Sequence, residues 1–302
     1  MAIHYEEFGM LHENAEEVGL LFDHAYPPLV RRTSVSAPSG YFVSALLWES
    51  VEEAPAEFVF LHGGAQNAHT WDTVALALGR PLVAIDLPGH GHSDWRAGKE
   101  YAPQSVIDDI AHAVRTLAPE AHTLVGMSLG GLTAVAALAA YPDLADRIAV
   151  IDVTPGVNRD KAAEITAFIT GPETFDSFDA ILERTVAFNP TRSEQSLRRG
   201  VLHNARERED GTWEWRYDLF TPERTGDLDG RFTDLWDAFG AINQPMLFLQ
   251  GSRSPVVDAD DIAELRRRKP DVEVVVVDDA GHSIQGDQPA VLAELLAQFS
   301  AA

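Results

Sequence analysis

At 302 residues with 45% hydrophobic content, the chain is long enough for a sizeable core and for one large α/β unit carrying an insertion. Its 23 basic residues against 47 acidic leave a formal charge of −24, which repels nucleic-acid phosphates and anionic membrane surfaces and favours solubility through self-repulsion. The sequence has no cysteine, which excludes disulfides, thiolate catalysis and cysteine-ligated metals.

Residues 1–28 form an acidic N-terminal extension. It opens Met1-Ala2-Ile3-His4-Tyr5-Glu6-Glu7, without the basic and apolar regions of a secretory signal. No apolar run reaches membrane-spanning length, so cytoplasmic residence is expected. Phe8, Met10, Leu11, Val18, Leu20, Leu21 and Phe22 among the acids predict an amphipathic helix packed on the core or on a second subunit of a homo-oligomer. Strand-like runs follow at Leu29–Ser36 and Tyr41–Trp48, with Ala37-Pro38-Ser39-Gly40 as a hairpin turn. Strands and helices then alternate. Strands are expected at Glu57–Leu61, Pro81–Asp86, Ala121–Val125 and Arg147–Val153, and helices at His69–Leu78, Pro103–Leu117 and Leu132–Ala140. Continuous apolar strands in that rhythm predict an α/β fold with a mostly parallel sheet covered by helices on both faces.

The rhythm breaks over residues 156–240, where helical pieces are expected at Lys161–Ile169, Ser177–Phe188, Glu194–Asn204 and Thr233–Gly240, with one extended aromatic piece, Thr212–Tyr217. It resumes with a strand at Met246–Gln250, a helix at Asp258–Arg268, a strand at Val272–Val277 and a final helix at Pro289–Phe299. The division expected is a core of residues 1–155 and 241–302, interrupted by a helical lid over 156–240.

The chemistry centres on Gly126-Met127-Ser128-Leu129-Gly130-Gly131, a G-x-S-x-G pattern entered from a strand and left by a helix. In that setting the serine occupies a strained turn that lifts its Oγ clear of the sheet, and the flanking glycines avoid backbone clashes. Serine is a weak nucleophile near neutral pH and needs a base, a group to orient the base, and donors for the developing oxyanion. Among eleven histidines, His282 in Ala280-Gly281-His282-Ser283 lies late and directly after a strand, as the chain order Ser…Asp…His requires. His203 falls in the insertion, and His62, His90 and His92 read as loop-organising rather than metal-binding, since no convergent carboxylates or thiolates accompany them.

Two aspartates compete as the orienting acid. Asp258 sits where a helix N-cap belongs, whereas Asp152 ends an apolar strand with no cap role and needs a cationic partner. This favours Asp152, with Asp258 as the alternative. The oxyanion donors expected are the N–H groups of Leu129 and Gly64, with Ala65 adjacent as a second choice.

Together with Leu61-His62-Gly63-Gly64, Asp86-Leu87-Pro88-Gly89-His90-Gly91-His92-Ser93 and Ala280-Gly281-His282, the serine motif makes the chain resemble the α/β-hydrolase superfamily from about Arg31 to the C-terminus. The resemblance implies an eight-stranded sheet and a helical lid. In many members the acid follows the strand after the lid, where this chain has Ser254. A subgroup of esterase- and amidase-like members carries it after the preceding strand, which matches Asp152. Ser rather than Asp at position 128 argues against dehalogenase or epoxide hydrolase chemistry.

The expected reaction is hydrolysis of a carboxylic ester of a small, hydrophobic molecule through an acyl-enzyme, without metal or cofactor. Hydrolysis of a carbon–carbon bond in a ring-cleavage product, or of an amide, is the alternative, and a non-catalytic ligand receptor is a third. Phe168, Phe175, Phe178, Phe188, Trp213, Trp215, Trp236 and Phe239 are candidates for an apolar pocket.

Overall fold

The computed structural model describes residue 3 and residues 5–21, 27–190, 192–218 and 232–301. Eight strands form one sheet: β1 (Leu29–Ser36), β2 (Phe42–Glu49), β3 (Phe58–Leu61), β4 (Leu82–Ile85), β5 (Thr123–Met127), β6 (Arg147–Ile151), β10 (Met246–Gly251) and β11 (Glu273–Val277), β7–β9 lying in the insertion. Their spatial order is β1-β2-β4-β3-β5-β6-β10-β11, and all neighbours from β4 to β11 run parallel. Only β2 pairs antiparallel, with both β1 and β4.

The central strands are apolar on both sides because both faces are covered. Val59, Leu61, Val83, Ile85, Leu124 and Val150 turn towards one core, which includes the helices Pro103–Leu117, Leu129–Ala140 and Leu235–Ala241. Phe58, Phe60, Leu82, Val125, Ile151 and Leu249 turn to the other, shared with the helices Asp72–Leu78 and Pro289–Ala301. This alternation is the two-residue period of a strand.

Between β6 and β10 the described residues hold the helices Ala163–Ile169, Phe178–Phe188, Glu194–Asn204 and Leu235–Ala241. They also hold a second, antiparallel sheet of β7 (Thr174–Phe175), β9 (Trp213–Trp215) and β8 (Ala205–Glu207), of which the sequence reading anticipated β9, as the extended piece Thr212–Tyr217, and missed the other two strands. The insertion is therefore not purely helical. Strands of two or three residues give too short a period-2 signal to read, and only the Trp213/Trp215 alternation, with both rings buried around Glu214, marks one of them. Residues 219–231 of the insertion lie outside the described residues.

The N-terminal helix is only Leu11–Glu17, and Leu20 and Leu21, assigned to its apolar face, are exposed. Phe22 lies outside the described residues. Phe8 and Leu11 pack on the core, while Ile3, Tyr5 and Met10 pack on the cluster inside the insertion. The segment thus bridges core and insertion. Among the described residues no helix is long and apolar enough to cross a membrane.

Candidate active site

The chain order β3, β4, then β5 on the other side of β3 puts a topological switch at the carboxyl ends of β3 and β5, where parallel sheets collect their sites. Strand register does the rest. Met127 of β5 pairs with Ile151 of β6, and Ile151 pairs with Leu249 of β10, so Ser128 and Asp152 leave the sheet from adjacent positions in one row. Ser128 N–H donates to Ile151 O at 3.1 Å, and Asp152 N–H donates to Leu249 O at 2.8 Å.

Ser128 sits at φ 52°, ψ −122°, and Asp152 also has φ 52°, a region that L-residues enter only when their surroundings hold them there. The elbow is wedged against the end of β3. A Cβ on Gly130 would lie 2.3 Å from Leu61 O, and one on Gly126 would lie 2.3 Å from Gly130 O, so neither position admits a side chain. Leu129 opens the following twelve-residue helix, whose first N–H groups have no intrahelical acceptor and carry the positive end of the dipole. Gly64 and Leu129 line one cavity, and a Cβ on Gly64 would touch Leu129 Cδ2 at 3.9 Å. Ala65, the second choice, has φ 59° and lines the cavity too.

Asp152 is fully buried and its carboxylate has three donors. Oδ1 accepts from Gly251 N–H at 3.0 Å. Oδ2 accepts from His282 Nδ1–H at 2.8 Å and from the Ser254 hydroxyl. Three donors offset the cost of burying the charge. With Nδ1–H committed to Asp152, the second ring nitrogen of His282 is the acceptor, a tautomer assigned from this bond. The approach of the His282 loop depends on Gly251, where a Cβ would lie 2.2 Å from Gly281 O. Asp287 holds the same loop from the other side, its Oδ2 accepting Gly281 N–H at 2.8 Å. Asp258 is elsewhere. It caps the helix Ala259–Arg268, accepting Asp261 N–H at 3.0 Å, and pairs with Lys161 at 2.9 Å.

Ser128, Leu129, Gly64 and His282 line one cavity of about 630 Å³ between the sheet edge and the insertion. Of the eight aromatics proposed for it, Phe168, Phe188 and Trp215 line it. Phe175, Phe178 and Trp213 are instead buried within the insertion, and Trp236 and Phe239 join the sheet core. Aromatic side chains serve equally well to hold the insertion to itself and to the core, and packing decided which role each took.

His62 organises the loops, as its Nδ1 donates to Gly63 O at 2.7 Å and its Nε2 accepts Leu87 N–H at 2.9 Å. Burial holds His90 and His92 down to about 3 and about 4. The sequence reading missed a different cluster. His69, Asp72 and His203 converge, buried, with ligand atoms within 4.8 Å of one another. Their rings and bonds disfavour a metal. The imidazoles stack at 3.7 Å and 13°, which sets their lone pairs side by side rather than on one point. His69 Nδ1–H donates to Asp72 at 2.9 Å and Nε2–H to Glu7 at 3.1 Å, while Tyr5 O–H donates to His203 Nδ1 at 2.9 Å. Burial opposes a charge on His69, but the Asp72 and Glu7 carboxylates push it up to about 9. No pattern in the chain links positions 7, 69, 72 and 203. The residues meet because the N-terminal segment lies between core and insertion.

The comparisons with known proteins agree with this architecture. The model of the alpha/beta hydrolase fold family matches residues 58–289. Esterase Rv0045c of Mycobacterium tuberculosis is 44% identical over 299 residues, covering 96% of this chain and 94% of that protein. A solved structure of that esterase superposes with a TM-score of 0.86 at 42% identity, covering 99% of this chain and 100% of the other. A 2-(acetamidomethylene)succinate hydrolase of Mesorhizobium japonicum is 28% identical over 80% of this chain and 86% of its own length. With the family model spanning most of the sheet and a relative at this identity over nearly the whole length, the chain belongs to the α/β-hydrolase fold family.

Proposed function

We propose that the protein is a serine hydrolase that cleaves carboxylic esters through an acyl-enzyme, with Ser128 as nucleophile, His282 as base and Asp152 as the orienting acid. The observation that carries this reading is the 2.8 Å bond from His282 to the buried Asp152, beside a serine held at positive φ on the floor of the same cavity. His282 takes the Ser128 proton as Oγ attacks the carbonyl carbon. The carbonyl oxygen becomes an anion facing the N–H groups of Leu129 and Gly64, each worth about 3 kcal/mol in such sites. Collapse expels the alcohol, which takes its proton from His282. Water, activated by the same imidazole, then releases the acid and regenerates Ser128. The insertion serves as a lid whose Phe168, Phe188 and Trp215 enclose the apolar part of the substrate.

The M. tuberculosis relative, an esterase by name, supports ester cleavage. Amide hydrolysis is the second reading, favoured by the 2-(acetamidomethylene)succinate hydrolase and by an N-formylmaleamate deformylase at 26% identity.

The test is turnover of p-nitrophenyl esters of increasing chain length, each beside its anilide, by wild type, Ser128→Ala and Asp258→Asn. Wild type should prefer the esters and label with an organophosphonate. Ser128→Ala should lose at least about 10³-fold in kcat, and Asp258→Asn should stay within about twofold. Faster anilide turnover would move the assignment to amides. A folded wild type with neither turnover nor labelling would refute serine catalysis.

A further inference from the structure

Among the described residues, one arginine on the cavity wall has no ion-pair partner. Of the basic side chains lining it, Lys161 pairs with Asp258 and Asp261, Arg199 with Glu13 and Glu17, and Arg253 with Asp279. Arg192 pairs with no carboxylate among the described residues. Its Nη2 donates to Ser196 Oγ at 2.8 Å, and its Nε is buried without an acceptor. That bond uses one of five guanidinium protons and leaves a planar fork able to bind a carboxylate through two parallel bonds. Burial pushes the group below its ordinary value, with only the more distant Asp287 acting the other way.

The place of Arg192 says which part of a substrate it would meet. Its guanidinium carbon lies 2.8 Å from where a Cβ of Gly286 would stand, so the fork rests on the backbone of the short helix Ile284–Asp287, directly after His282. In acyl transfer the histidine hands its proton to the leaving group, so that group lies on the His282 side of Ser128. The apolar side chains of Leu129 and Ile169 gather instead beside the oxyanion loop, within 4 Å of a Cβ placed on Gly64. A protein of charge −24 repels an anionic substrate at long range, and a local cation is what would hold one.

We propose that Arg192 forms an anion subsite on the leaving-group side of the cavity, which selects esters whose alcohol portion carries a carboxylate, that is, O-acylated hydroxy acids. This rests on the hydrolase reading above. The test compares kcat/KM for para-butanoyloxybenzoate and for its methyl ester in wild type and Arg192→Met. Each value is divided by the uncatalysed hydrolysis rate of the same butanoyl ester to remove the difference in leaving-group acidity. Wild type should prefer the carboxylate by about tenfold, and the ratio should fall to about one in the variant. A wild-type ratio of one or less, with the methyl ester turned over, overturns the subsite and leaves the hydrolase reading standing. A ratio unchanged in Arg192→Met overturns it equally. Should the variant not fold, the wild-type ratio alone decides. Failure of both esters overturns the hydrolase reading, and the subsite with it.

Discussion

Ser254 occupies the position after β10 from which its hydroxyl reaches the same carboxylate oxygen, Asp152 Oδ2, that His282 uses. This contact makes the orienting charge movable. The γ-carbon of an aspartate at 254 would stand where the serine Oγ now stands, and a carboxyl C–O bond adds about 1.2 Å towards the vacated space. An oxygen carried by residue 254 would then come within about 1.5 Å of the present Oδ2 position, provided that residue 152 is shortened. Asp152→Ala alone should lower kcat/KM for a p-nitrophenyl ester by about 10⁴-fold, roughly 5.5 kcal/mol, because the imidazole loses both its tautomer lock and its counter-charge. Asp152→Ala with Ser254→Asp should recover at least about tenfold of that loss. Ser254→Asp in the presence of Asp152 should be worse than wild type, since two buried carboxylates at this spacing cannot both ionise. The assay is initial-rate hydrolysis across pH, with urea unfolding to show that each variant is folded. A folded double variant no faster than Asp152→Ala would refute the argument that the His282 ring can take its anion from either strand.

Gly251→Ala would set a Cβ 2.2 Å from Gly281 O and push the His282 loop away from Asp152. We expect kcat to fall about 10²-fold with KM little changed, as for a displacement of about 1 Å, and equal rates for variant and wild type would count against the assignment. Phe168→Ala should enlarge the cavity and move the preferred ester towards longer acyl chains, read from kcat/KM along the p-nitrophenyl series. An unchanged profile would place the acyl chain elsewhere. For His69, the folded-state value of about 9 lies above the ordinary 6.5, so the native state binds more protons between these values. The stabilisation is complete below about pH 6.5 and is lost as pH rises through about 9, by on the order of 3 kcal/mol. Urea midpoints measured at increasing pH should fall across that window in wild type and stay level in His69→Gln. Parallel slopes would show that the charge on His69 does not tie the N-terminal segment to the core.

What could be read from the chain follows the range of the interactions involved. The central strands β3, β4, β5, β6 and β10 show in the sequence because each is an apolar run bounded by turns, and burial on both faces makes the run continuous, whereas the half-exposed β1 shows as one arm of a hairpin closed by Ala37-Pro38-Ser39-Gly40. The G-x-S-x-G turn was legible for the same reason, since its strand, sharp bend and helix lie within 20 consecutive residues. Local grounds favoured Asp152 over Asp258, because one residue had a helix to cap and the other did not, and Asp258 does cap the helix Ala259–Arg268. The contacts that hold the site together were not legible in this way. That Ser254 and His282 meet on one oxygen of Asp152 depends on the pairing of Leu249 with Ile151 and of Gly251 with Val277, a parallel register that no local pattern encodes. The three short strands of the insertion, the sorting of its aromatics between its own cluster, the sheet core and the cavity, and the Glu7–His69–Asp72–His203 cluster depend on how the insertion packs back on the sheet. The sequence therefore points to the groups that carry charge or donate protons, while their neighbours along other strands determine whether those groups are held at working distance. Gly251 shows the division plainly. In the sequence it is a glycine ending a strand, and in the fold it is the gap through which His282 reaches Asp152.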